Sequence, residues 1–91
     1  MNSLINIYNR IKEQHKDSVV FMLIGDFYET FNDDATILNK VCETIIISRM
    51  GIKIAGVPNR FMGQYVKMLV DAGYKVVIAE QKKKIDEKET M

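Results

Sequence analysis

The chain has 91 residues, a net charge of +1, 47% hydrophobic and 27% charged residues, as expected of one small folded domain and not of a disordered or fibrous chain. Its longest apolar run, VVFMLI at 19–24, is far short of the roughly 20 residues of a membrane span, and the opening MNSLINIYNRIKEQ lacks the basic start and apolar stretch of a secretory signal. A single cysteine, Cys42, permits no internal disulfide, so the expected setting is reducing and intracellular, without a membrane partner.

In chain order, Leu4, Tyr8 and Ile11, with Ile5 and Ile7 beside them, predict a first helix capped near Asn2 or Ser3 and ended by Asp17 and Ser18. The run 19–24 predicts a buried strand, Gly25 and Asp26 a turn, and the alternating residues 27–31 a second strand. Asn32, Asp33 and Asp34 then precede apolar residues at Ala35, Leu38, Val41, Cys42 and Ile45. That spacing predicts a second helix whose first turn is favoured, and capped, by its acidic groups. A β-branched strand is expected at 44–48, a hairpin turn at Arg49, Met50 and Gly51, and a fourth strand at 52–57 ended by Pro58. Asn59 is expected to cap a third helix bearing Met62, Tyr65, Val66 and Leu69, with Gly73 at its stop. Residues 74–79 predict a fifth strand, and 82–91 a charged tail outside a domain at 1–81. Two pairs of strands joined by tight turns cannot form a regular parallel series. The expected class is therefore α/β (α+β), a mixed sheet of about five strands with three flanking helices.

The charge is unevenly spread. Residues 1–35 carry three basic and six acidic groups, 36–79 six and two, and 80–91 four and four. A basic middle segment of that size is only a faint footprint for nucleic acid.

The stretch GDFYETF at 25–31 calls for an explanation. In an extended strand Phe27, Glu29 and Phe31 share one face, and Tyr28 and Thr30 the other. Either both phenylalanines are core residues and Glu29 is a solvated edge charge, or the face serves another purpose. The first reading would set a carboxylate on a face that two phenylalanines bury, which is costly without a partner. A metal site from Asp26, Glu29, Asp33 and Asp34 is disfavoured, because Asp26 and Glu29 are an odd number of residues apart and face opposite sides of a strand. His15 is the single histidine and stands at a helix end, Cys42 falls on an apolar stripe, and no glycine-rich phosphate loop is present. No catalytic group, metal or cofactor is expected.

GDFYETF followed by NDDA, IAGVP at 54–58 and LVDAGYKVVIAEQ at 69–81, in this order and spacing, resembles the N-terminal mismatch-recognition domain of the DNA mismatch repair protein MutS. The resemblance covers about residues 4–81. It implies a mixed sheet with surrounding helices, in accord with the elements above, and a Phe-x-Glu motif at Phe27 and Glu29. By the same resemblance Phe27 enters the minor groove of double-stranded DNA, stacks on a mispaired base and kinks the duplex, while Glu29 bonds to the displaced base. Phosphate contacts are expected from Arg49, Lys53 and Arg60 in the basic segment. Met22, Leu23 and Ile24 stand where the family commonly has tyrosine, arginine and methionine, and Asn59-Arg60 where it has tyrosine-histidine, so a cation near the DNA is expected to be missing. By the same resemblance the family's final strand of this domain is expected to be absent or replaced by the KKKIDEKETM tail, and the connector, lever, clamp and ATPase domains of MutS are not expected within these 91 residues. The expectation is a stand-alone DNA-binding module, not an enzyme. The alternative is a small subunit of a larger protein assembly that reuses this fold for protein contacts.

Overall fold

The computed structural model describes residues 2–80, and side chains from Leu4 onward. Helix α1 (Asn2–Gln14) leads into strand β1 (Ser18–Ile24), the Gly25-Asp26 turn and strand β2 (Phe27–Phe31). Helix α2 (Asn32–Cys42), the hairpin β3 (Ile47–Arg49) and β4 (Ile52–Pro58), helix α3 (Met62–Asp71) and strand β5 (Lys75–Ala79) complete the chain order. The five strands form one sheet in the order β3-β4-β2-β1-β5. Only the β1–β5 pair is parallel, so the class is the mixed α+β sheet expected. None of the described helices is long and apolar enough to cross a membrane.

Strand alternation divides the core in two. On one face Val19, Phe21, Ala55 and Val57 meet Ala35 and Leu38 of α2 and Met62 and Leu69 of α3. On the other, Val20, Met22, Phe31 and Ile54 meet Tyr8 and the apolar stripe of α1. Two helices cover the first face and one covers the second. A single helix cannot span five strands, so on the second face β3, the Gly56–Pro58 end of β4 and the first residues of β2 are left without a helix over them, while Phe31 and Ile54 lie beneath α1.

A buried ionic hub fastens α1 in place. Asp34, 2% exposed, accepts hydrogen bonds from the Val20 amide (3.1 Å), the Tyr8 hydroxyl and the Lys12 ammonium (2.8 Å). Lys12 also donates to the Ser18 carbonyl, and the Tyr8 ring meets Phe31 edge-on with centroids 4.9 Å apart. Burial first, and the Asp34 carboxylate second, push the Tyr8 phenol far above its ordinary range, so it remains a donor. The helix-capping role expected of Asp34 is thus corrected. No side chain caps α2, because this carboxylate turns inward to join three elements.

Other elements differ in detail. α2 ends before Ile45, since Glu43 turns left-handed (φ 59°) and its amide closes the helix on Asn39 (2.8 Å). Ile45 is left 82% exposed, and the strand expected at 44–48 shortens to Ile47–Arg49. Met50 (φ 51°) and Gly51 (φ 78°) are both left-handed, the geometry of a two-residue hairpin that follows the natural strand twist. Arg49 therefore belongs to the strand, paired with Ile52. Asn59 opens a 3₁₀ turn, Asn59–Phe61, with no side-chain cap; its amide instead bonds the Asp26 carbonyl (2.8 Å), tying this turn to the one before β2. Gly73 (φ 96°) does stop α3, with Gly73 bonded to Val70 and Tyr74 to Leu69, the paired bonds of a glycine-terminated helix. The tail expected at 82–91 lies outside the described residues.

Candidate nucleic-acid interface

The helix-free end of the α1 face carries Phe27 and Glu29. β2 begins at the surface and runs inward, so the three residues sharing this face meet different fates. Phe31 is buried beneath Tyr8, whereas Phe27 is 47% exposed and Glu29 half-buried. Of the two sequence readings, the one placing both phenylalanines in the core holds for Phe31 alone.

Register fixes the neighbours. Glu29 lies between Met22 of β1 and Gly56 of β4, and Phe27 between Ile24 and Pro58. Phe27, Glu29, Ile45, Ile47, Arg49, Ile54 and Gly56 line a concavity of about 330 Å³. Within it, burial pushes the Glu29 carboxyl above the usual carboxylate range, and the Arg49 guanidinium pulls it partly back. Arg49 forms no ion pair within 4.0 Å among the described residues.

On its other flank Phe27 borders a second concavity, about 310 Å³, with Asp26, Pro58, Asn59 and Arg60. The Arg60 guanidinium stacks 4.9 Å above the Phe61 ring, which holds a cation beside the aromatic. Phe27 is a ridge between two hollows, one containing Glu29 and Arg49, the other Arg60. The chain matches the family model of MutS domain I over residues 2–91.

The chain belongs to the MutS domain I family. It is 46% identical over 78 residues, 86% of its length, to the DNA mismatch repair protein MutS of Thermotoga petrophila, and 42% identical over 81 residues, 89% of its length, to that of Petrotoga mobilis. The MutS of Thermodesulfovibrio yellowstonii is 40% identical over 86 aligned residues. The chain spans about 10% of the length of these relatives.

Of the five candidate residues, this MutS domain I brings four together. Phe27, Glu29 and Arg49 share a hollow, and Arg60 reaches Phe27 from the other side. Lys53 is separate: it alternates with Ala55 and Val57, which pack toward α2 and α3, and so emerges on the opposite face of β4. The expected loss of a cation is also relocated. Leu23, at the position where the family commonly has arginine, pairs with Tyr28 and belongs to the far face. Its apolar character takes no charge from the face bearing Phe27, where Arg49 and Arg60 supply it.

Sequence reasoning missed Ile45, Ile47 and Gly56 as lining residues. Gly56 could have been found, since alternation along β4 and pairing opposite Glu29 place it there. Ile45 could not, because its spacing continues the stripe of α2 and only the left-handed Glu43 removes it. Among the described residues, no three His, Cys, Asp or Glu side chains gather to hold a metal.

Proposed function

We propose that this domain binds double-stranded DNA at mismatched or otherwise deformable steps, Phe27 acting as a minor-groove wedge and Glu29 as the partner of the displaced base. It is read as a binding module and not as an enzyme. The observation that carries the reading is a half-exposed phenylalanine, raised between two hollows that each contain an arginine, on a sheet end no helix covers. A base step that is already mispaired costs less to unstack and bend, so a rigid wedge discriminates through deformation energy. Arg49 and Arg60 would meet the phosphates on either side, supplying affinity without sequence preference. A module of this size covers little DNA, so binding by the chain alone is expected to be weak and salt-dependent.

Two outcomes follow for the charged groups, readable by fluorescence anisotropy with matched and singly mismatched duplexes. Arg49→Glu should weaken binding to both by a similar factor and reduce the slope of log affinity against log salt by about 1 or more, because it removes a phosphate contact and adds a repulsion. An effect confined to the mismatched duplex would contradict the assignment.

Glu29 carries the pH dependence. Its folded pKa is already raised by burial, and nearby phosphates would raise it further. The protonated carboxyl can donate to a ring nitrogen of the displaced base, whereas the carboxylate can only accept. Mismatch affinity should therefore fall as pH rises through the raised pKa. In Glu29→Gln, which donates at every pH and carries no charge, that dependence should vanish and binding to matched DNA should strengthen. A pH profile unchanged by the substitution would remove Glu29 from the base contact.

A second reading rests on Ile45 (82% exposed), Ile47 (47%) and Met50 (89%), which form an apolar margin along the β3 hairpin. Such a margin suits a protein-contact subunit of a larger assembly. Absence of measurable binding to either duplex at low salt, where attraction is greatest, would favour it.

A further inference from the structure

We propose that Gly56 is a specificity-determining residue, whose bare Cα is the floor of the slot in which a displaced base lies between the Phe27 ring and the Glu29 carboxyl. The inference rests on the DNA reading above and adds a residue to it. Gly56 stands in the interior of β4, opposite Glu29 and two residues from Pro58, the partner of Phe27. Glycine in mid-strand is unfavourable, so its presence requires a local reason.

Two ordinary reasons are excluded by geometry. Gly56 is not among the residues with positive φ, so the backbone does not demand glycine. Packing does not demand it either. A Cβ built there would meet Phe27 Cδ2 at 3.6 Å, Glu29 Cγ at 3.8 Å and the Tyr28 carbonyl oxygen at 3.8 Å, all ordinary van der Waals separations. The free protein could accommodate alanine without shifting a neighbour. A third reason survives: the space above this Cα is needed by something that approaches closely.

That space has defined walls. The Phe27 ring edge and the Glu29 side chain are the nearest side-chain atoms to the added Cβ. Ile54 precedes Gly56 on the same face of β4, and Ile45 and Arg49 stand on the β3 side of the hollow. The occupant is thus flanked by an aromatic ring, a carboxyl raised toward its protonated form and a guanidinium. A planar heteroaromatic base, with ring nitrogens as acceptors and a face to stack, suits that set. A methyl group on the floor would lift such a base away from Glu29. A branched side chain would fill the slot.

The test compares Gly56→Ala and Gly56→Val with the unmodified chain, using thermal melts and anisotropy titrations on matched and mismatched duplexes. Both variants should melt at or above the parent temperature, since a strand glycine is replaced by a residue with less unfolded-state freedom. Matched-duplex affinity should stay within about twofold, because the phosphate contacts are untouched. Preference for the mismatch should fall in Gly56→Ala and by about tenfold or more in Gly56→Val, a loss in the range of one lost base contact. Parent-like preference in both variants would overturn the role of Gly56 while leaving the wedge reading intact, provided Phe27→Ala still abolishes preference. A drop in melting temperature in both variants would show that glycine serves packing and would equally overturn it. Should Phe27→Ala retain the preference, the DNA reading fails together with this inference.

Discussion

Asp34→Ala should destabilise the domain by about 3 kcal/mol or more, the range for breaking a buried pair by removing one partner. The carboxylate serves donors from α1 and β1 at once. Its removal leaves the Val20 amide and the buried Tyr8 hydroxyl without that acceptor, and leaves Lys12, 29% exposed, without its counter-ion. Lys12 can turn to water, but Val20 and Tyr8 are 0% and 2% exposed and cannot. A domain of this size has about 5–10 kcal/mol in all, so its melting temperature should fall by about 12 °C or more. Asp34→Asn, which keeps the shape and one acceptor oxygen, should lose less. The contrast is the Lys67–Asp71 pair, also 2.8 Å apart but with side chains 76% and 64% exposed. Breaking that pair should cost under about 1 kcal/mol, because water and entropy offset an exposed contact. If Asp34→Ala and Asp71→Ala melt within a degree or two of each other, the buried hub does not hold α1 to the sheet.

Phe27→Ala should abolish the preference for a mismatched duplex and leave the weaker, salt-sensitive binding to matched DNA nearly unchanged. An aromatic stacked on a base contributes about 1–3 kcal/mol by alanine substitution, or about 5- to 150-fold in affinity. In this chain that contribution would act only at a step soft enough to open. The ring is half exposed in the free protein, so its truncation should leave the melting temperature close to the parent's. The stability readout thus separates loss of a contact from loss of the fold. Equal weakening on both duplexes would show that Phe27 contributes general affinity, and the wedge would have to be abandoned.

Much of the architecture was legible in the sequence because it follows from local periodicity. The alternation in 27–31 put Phe27 and Glu29 on one face, the apolar run at 19–24 marked a buried interior strand, and Gly73 marked the stop of α3. Family membership likewise follows from motifs in order along the chain. The different fates of Phe27 and Phe31 were not legible, since both have the same residue type and the same parity. Burial of one and exposure of the other depend on how far α1 extends across the sheet. The role of Asp34 was hidden for a similar reason: an acidic residue in the first turn of a helix fits a capping role as well as a buried one, and the choice is made by Tyr8 and Lys12, more than twenty residues away. Lys53 and Arg49 looked alike as basic residues of one hairpin, and only strand register put them on opposite faces. The sequence by itself determined the elements and the pairing of aromatic with carboxylate, because both obey the period of a strand or a helix. Which side chains remain uncovered, and which charges meet, was decided by the tertiary structure, because one helix covers only part of a five-stranded sheet.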